Sequence, residues 1–248
     1  MKIAAVLFFS AFTFAGIATA GIAIAPTNHI ELFNGKDFIG WAFCMKDHAD
    51  PMQTWGVTNG VIHCTGKPIG YIRTLQNYRD YTLTVEWRFV KIAPNANNTG
   101  VLLHMQSPDK VWPMCVQVQG KHERQGDLFL MAGAESKEHK GMDANTPIPM
   151  RGTSNENPVG EWNTCVAVCS GNDVKAFVNG SFMNETTGCT VTTGAIGIQS
   201  EGAEIEIRRM SLEPLKSPWF ETKFTRRNPR DVTARASRPS RQIADDPV

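Results

Sequence analysis

No two cysteines in this chain are spaced Cys-x-x-Cys, which removes the zinc ribbon and the dithiol redox motif from consideration. Histidine is scarce, and His48, His63 and His139 stand at no spacing that a metal site uses. No stretch after residue 20 is apolar for long enough to cross a bilayer, which takes about 20 residues. An excess of either charge is also missing. The 25 Lys and Arg face 24 Asp and Glu and leave a net +1, so nothing calls for a nucleic acid or a membrane surface as partner. Nor does any later stretch repeat its apolar positions at a helical period, which argues against a helical bundle.

What is present suits one all-β domain. The 248 residues fit a single unit of that class, which runs to roughly 200–250 residues. Hydrophobic residues make up 42% and charged residues 20%, enough for a sizeable core. The first twenty residues differ from the rest. Lys2 is their only charge, residues 3–18 are apolar or small, and Ala18-Thr19-Ala20 fits the small-x-small pattern of signal cleavage. Residues 1–20 therefore read as a signal peptide, and the product as secreted or periplasmic, with no membrane span after cleavage. An uncleaved anchor is the rival, weakened by the short apolar run. No cysteine follows the cleavage site to carry a lipid. In an exported chain Cys44, Cys64, Cys115, Cys165, Cys169 and Cys189 permit three disulfides, or they are buried thiols. Cys165 and Cys169 would share one strand face roughly 13 Å apart, too far to pair with each other. Residues 216–248 are rich in Pro and Arg and poor in apolar residues, and read as a disordered basic tail.

Between these ends the pattern is strand, turn, strand. In residues 82–90 Leu83, Val85, Trp87 and Phe89 alternate with Thr82, Thr84, Glu86 and Arg88. Residues 101–106, 114–119, 164–169, 174–178, 195–200 and 204–212 also read as strands. Asn59-Gly60, Gly171-Asn172-Asp173 and Asn179-Gly180 mark turns between them. Many short strands with such turns predict a sandwich or barrel. Residues 132–160, rich in Gly, Pro, Asn and Ser, read as a long functional loop. Trp162 reads as a core residue.

Polar side chains that alternate with apolar ones fall on one face of a strand. Glu86 and Arg88 do so, as do Gln117 and Gln119, and strict alternation sets His104 beside Leu102 and Gln106. Planar amides, carboxylates and guanidinium groups over an aromatic ring suit a sugar, and Trp55 or Trp112 supplies the ring. An ordinary solvated sheet face shows the same alternation. The pattern alone does not select between them.

An ordered series of motifs does. Leu32-Phe-Asn-Gly-Lys-Asp37 and Gly40-Trp41 open it, and Trp55-x-Val57-x-Asn59-Gly60-Val61-Ile62 comes second. Then come Tyr78-Arg-Asp-Tyr81, Glu86-Trp-Arg88, Asn98-Thr-Gly-Val101, Trp112-Pro113, Val116-Gln-Val-Gln119, Gly160-Glu-Trp-Asn163, Asn179-Gly180 and Ile196-Gly-Ile-Gln-Ser-Glu-Gly202. Over residues 30–213 the series resembles the 3-keto-disaccharide hydrolase family, also described as 3-keto-glucoside 1,2-lyase and 3-keto-2-hydroxy-glucal hydratase. The resemblance implies a concanavalin A-like jelly roll of two antiparallel sheets. It also implies a carbohydrate substrate, a 3-keto-glycoside cleaved by elimination and hydration.

One position departs from the family's pattern. Its central strand usually reads Glu-Val-Gln, and here it reads Gln117-Val118-Gln119. An amide hydrogen-bonds a sugar but is neither a base nor a good metal ligand. The expected base is then His104 or Glu86, with Arg88 as partner of the developing oxyanion. Asn98, Gln117, Gln119, Trp112 and His122 are expected to hold the substrate, and these groups to converge on one concave sheet face. A divalent metal would serve the enediolate, but no ligand spacing in the sequence points to one, and the cofactor stays unknown. The alternative is a carbohydrate-binding module that kept the fold and lost the base. Glu201-Gly202 reads as a turn at the rim of the site.

Overall fold

The computed structural model describes residues 21–91, 98–143 and 145–215. The expected signal segment, 1–20, and the expected tail, 216–248, lie outside the described residues. Among the described residues fourteen strands succeed one another. They are β1 (Ile30–Glu31), β2 (Trp41–Met45), β3 (Trp55–Thr58), β4 (Val61–Cys64), β5 (Gly70–Thr74), β6 (Tyr81–Phe89) and β7 (Gly100–Met105), then β8 (Cys115–Gln119), β9 (Leu128–Met131), β10 (Asn163–Ser170), β11 (Asp173–Val178), β12 (Ser181–Thr186), β13 (Ala195–Ser200) and β14 (Ile205–Pro214). Two 3-10 turns, Lys46–His48 and Pro51–Gln53, lie between β2 and β3.

The strands form two antiparallel sheets. One has eight strands in the order β12-β11-β10-β6-β14-β4-β3, with β1 also on β14. The other has six, in the order β2-β5-β13-β7-β8-β9. The tight hairpins stand where the turn residues predict them. Asn59-Gly60 joins β3 to β4 and Asn179-Gly180 joins β11 to β12, and all four residues have positive φ. That backbone twist matches the twist of the strands it connects.

The core fills the space between the sheets. From β6 it takes Leu83, Val85, Trp87 and Phe89, and from the facing sheet Val101, Leu103, Val116, Val118, Ile196 and Ile198. Burying one such side chain contributes roughly 1.5–3 kcal/mol. A second, smaller cluster lies on the outer face of the six-stranded sheet: Tyr71, Leu102, Met105, Cys115 and Ala195. Side chains buried on an outer face mean that the chain returns to cover it. The segment after β7 returns there, where Tyr71 OH donates to Asp109 Oδ1 at 3.1 Å, and Met131 packs on the cluster from β9. The described residues of the segment 132–160 carry no strand, as its composition predicts, and are stitched down instead. Leu128 and Ile148 exchange backbone bonds of 3.0 and 2.8 Å, and Arg151 N donates to Met183 O at 2.7 Å. All six cysteines are free thiols, which decides between the two expectations for them.

Candidate functional site

A cleft of about 420 Å³ opens on the outer face of the six-stranded sheet. Gln117 and Gln119 from β8 and Gln199 from β13 form its floor. Asn98 and Glu201 line it from just outside β7 and β13, and Trp112, Phe129 and Met131 wall it. Alternation explains the floor. Val116 and Val118 face the core, so Gln117 and Gln119 must face out, and Ile196 and Ile198 do the same for Gln199.

The three glutamines form a ladder. Gln117 Nε2 donates to Gln119 Oε1 at 3.1 Å, and Gln199 Nε2 donates to Gln117 Oε1 at 3.4 Å. Gln119 Oε1 also accepts from Gly120 N at 3.0 Å. Gly100 makes room for this. A Cβ there would stand 2.5 Å from both Gln117 Nε2 and Gln199 Oε1, so only hydrogen allows the amides to lie flat across the sheet. Among the described residues Gln199 Oε1 and Asn98 Oδ1 have no hydrogen-bond partner. A buried acceptor left so costs about 1–3 kcal/mol, which a donor brought by a ligand or water offsets. Among the described residues Glu201 is the one carboxylate lining the cleft. Burial pushes its carboxyl above the ordinary glutamate range, and the charge of Lys121 opposes that only in part. A carboxylate whose pKa is raised is a stronger base than an ordinary one, which suits it to taking a proton.

The expected convergence on one face does not hold. Glu86 and Arg88 do alternate out of the core, but β6 belongs to the eight-stranded sheet, so they lie on the opposite side of the sandwich from Gln117. There they belong to an ion-pair lattice. Arg208 Nε donates to Glu86 Oε2 at 2.7 Å, Arg88 Nε to Glu206 Oε2 at 2.7 Å, and Arg88 Nη1 to Gly160 O at 3.0 Å. Trp162, expected in the core, is half-buried on that face between the Arg88 and Arg208 guanidiniums, each 4.5 Å from a ring centroid.

His104 is displaced by a bulge. Met105 pairs with Ala195 and Leu102 with Gly197, so two residues of β7 stand opposite Ile196 alone. His104 takes the extra place at φ 55°, and its ring turns inward against core residue Tyr81, at 5.5 Å between centroids. Its Nδ1–H donates to Val191 O at 3.3 Å. Burial holds its pKa down to about 4, although Val191 O and Asp80 favour the proton. A buried neutral ring facing the core is no base for a substrate in the cleft. His122 also lies elsewhere. Its Nδ1 pairs with Glu156 and its ring stands edge-on to Phe89 at 6.4 Å. Trp55 is buried in the core.

Of the expected residues, the cleft therefore brings together Asn98, Trp112, Gln117 and Gln119. It adds Gln199, which sequence reasoning missed, and Glu201, which it placed at the rim of the site but gave no role. Gln199 had a signal, a polar residue in the outward phase of an apolar strand. Glu201 had only its place beside a turn. Among the described residues no three His, Cys, Asp or Glu side chains gather to hold a metal.

Residues 28–213 match a family model described as the 3-keto-alpha-glucoside-1,2-lyase-like domain. No curated protein sequence matches the chain. Among solved structures, a candidate glycosyl hydrolase of Parabacteroides distasonis is 22% identical, with a TM-score of 0.56 over 76% of this chain and 94% of that one. The β-glucanase of Bacillus licheniformis is 12% identical, with a TM-score of 0.50 over 75% and 96%. The carbohydrate-binding module CBM66 of Bacillus subtilis is 11% identical, with a TM-score of 0.50 over 70% and 96%. At such identities the likeness is one of fold: a concanavalin-like sandwich.

Proposed function

Because the chain belongs to the 3-keto-alpha-glucoside-1,2-lyase-like family, we propose that it cleaves 3-keto-glucosides by elimination and hydration in this cleft. The observation that carries the reading is the convergence there of Asn98, Trp112, Gln117 and Gln119 with a desolvated carboxylate, Glu201.

The chemistry assigns the roles. A ketone at C3 acidifies the proton on C2. Glu201 takes that proton, and the electron pair moves into an enediolate at C3. Collapse of the enediolate expels the oxygen on C1, which leaves as the alcohol with the proton that Glu201 took. Water then adds to C1 of the glycal and a proton returns to C2, which releases the 3-keto sugar. The base must be ionised to act and strong enough to act well, and burial of Glu201 moves it toward that balance. Amide N–H groups of Gln117, Gln119, Gln199 and Asn98 are the donors available to the enediolate oxygen and to the ring hydroxyls. Trp112, 41% exposed beside a polar floor, offers the apolar ring on which a sugar stacks.

A specific observation favours a second reading. Gln117 replaces the carboxylate usual at its position in the family, so the cleft holds sugar without turning it over if Glu201 does not serve as base. Release of 3-keto-glucose by wild type, Glu201→Gln and Gln117→Glu separates the two. The lyase reading expects wild-type turnover that Glu201→Gln lowers by about 10²–10⁴-fold. It also expects activity to fall, as pH drops, through a pKa above the ordinary glutamate range. Sugar binding without turnover in wild type would defeat it and favour the binding module. Full activity in Glu201→Gln would remove Glu201 as base.

A further inference from the structure

The segment between β7 and β8 crosses the outer face of the six-stranded sheet and is fastened at three points. At its base Gln106 N donates to Met114 O at 3.0 Å. On one flank Gln106 Nε2 donates to His104 O at 2.8 Å and to Thr193 O at 2.6 Å. At its crest Asp109 meets two side chains rising from β5. Arg73 Nε donates to Asp109 Oδ1 and Arg73 Nη2 to Oδ2, both at 2.7 Å, and Tyr71 OH donates to Oδ1 at 3.1 Å. A two-pronged guanidinium–carboxylate pair fixes direction as well as distance. Tyr71 is fully buried, Arg73 is 20% exposed and Asp109 36% exposed, so the clasp ties an exposed loop residue to the buried face of the sheet. Burial pushes the Asp109 carboxyl up, but the Arg73 bonds outweigh it and hold the group below the usual range.

Trp112 stands three residues beyond Asp109 and lines the cleft. It belongs to neither buried cluster and is 41% exposed. Core packing therefore does not hold it, and its place depends on the backbone of the loop that carries it. On the far side of the loop Asp109 borders a separate hollow of about 520 Å³, into which an unfastened loop has room to move.

We infer that Asp109, gripped by Arg73 and Tyr71, is a positioning residue that holds Trp112 in place as the sugar platform of the cleft. The inference rests on the sugar-binding part of the function proposed above. Fixing the loop before the ligand arrives removes an ordering cost from binding. Releasing it weakens ground-state binding and leaves the proton-transfer groups where they were.

The test is a double-mutant cycle on methyl 3-keto-α-glucoside, with wild type, Asp109→Asn, Trp112→Ala and the double variant. Arg73→Lys and Asp109→Glu serve as second probes of the clasp, and thermal unfolding is followed throughout. Asp109→Asn and Arg73→Lys are expected to raise KM roughly 3–30-fold with kcat within about twofold. In the Trp112→Ala background Asp109→Asn is expected to add nothing, because the residue through which it acts is gone. Asp109→Glu, which keeps the charge but shifts the loop, is expected between wild type and Asp109→Asn. A merely structural clasp would lower the melting temperature and give additive effects, and that result overturns the inference. So does an unchanged KM in both Asp109→Asn and Arg73→Lys. If Asp109→Asn fails to fold, the same cycle is run with Asp109→Glu and judged by the same rule. A wild type that binds the glucoside without turnover refutes the lyase reading alone, and the cycle is then read in Kd. A wild type that does not bind it refutes both.

Discussion

Gly100→Ala adds one methyl group to the floor of the cleft and nothing else. Gly100 lies in strand β7 without a positive φ, so alanine suits its backbone. The added carbon would stand 2.5 Å from Gln117 Nε2 and from Gln199 Oε1, and 2.9 Å from Gln117 Cδ. Carbon finds its best contact near 3.5–4.0 Å, so both amides must retreat by about 1 Å. Each obstacle is the end of a flexible side chain, and the fold survives. The Gln199–Gln117 bond is lost and the Gln117–Gln119 bond strained, at about 0.5–1.5 kcal/mol each. Alanine returns about 0.4–1 kcal/mol by restricting the unfolded chain. The net is a destabilisation of about 1 kcal/mol, or roughly 2–4 °C in Tm for a domain of this size. Function is expected to suffer far more, because displacing positioned groups by about 1 Å costs on the order of 10²-fold. Calorimetric unfolding and steady-state release of 3-keto-glucose measure the two sides. A folded Gly100→Ala protein with kcat/KM within threefold of wild type would show that the amide ladder does not bind the substrate.

His104 ties stability to pH. Its folded pKa of about 4 lies below the ordinary 6.5, so between these values the unfolded chain takes up a proton that the folded one refuses. Stability is therefore expected to fall as pH drops from 6.5 to 4, by up to about 3 kcal/mol. His104→Asn, which tolerates positive φ, should flatten that slope in denaturant titrations, and equal slopes would refute the account. Glu86→Gln removes an exposed ion pair on the sheet opposite the cleft. It should leave turnover within twofold and cost about 0–1 kcal/mol, whereas a large loss of activity would restore Glu86 as a catalytic candidate. Mass spectrometry of the protein from its native host should find the mature chain starting near Gly21, and an intact Met1 would refute the signal-peptide reading.

The alternation of β6 was fully legible in the sequence, down to which residues enter the core. Which sheet β6 joins was not, because a strand's period records its own two faces and not its neighbours. That gap put Glu86 and Arg88 in the wrong place. His104 failed for another reason. One inserted residue reverses the phase of the rest of its strand, and His at positive φ leaves no mark in a hydrophobicity pattern. Gln117 and Gln119 were legible because no bulge interrupts β8. Strands β1 to β5, β9 and β12 escaped periodicity: β1 has two residues, β2 and β9 are apolar throughout, and the others do not alternate strictly. Glu201 depends on desolvation, which arises only when Asn98, Gln199 and the loops assemble around it.

Six thiols without a cross-link bear on how the domain comes apart. No covalent tie limits its unfolded ensemble, so its melting is expected to be indifferent to reductant. Burial also raises the pKa of five of the thiols, Cys64 and Cys189 to about 11, Cys165 and Cys169 to about 12, and Cys115 in the same direction. Since only the thiolate attacks, these groups stay silent until the structure around them opens. Cys64, Cys165 and Cys169 belong to the eight-stranded sheet and Cys115 to the six-stranded one. The chain thus carries reporters in both layers, and the order in which an alkylating reagent marks them dates the opening of one sheet against the other.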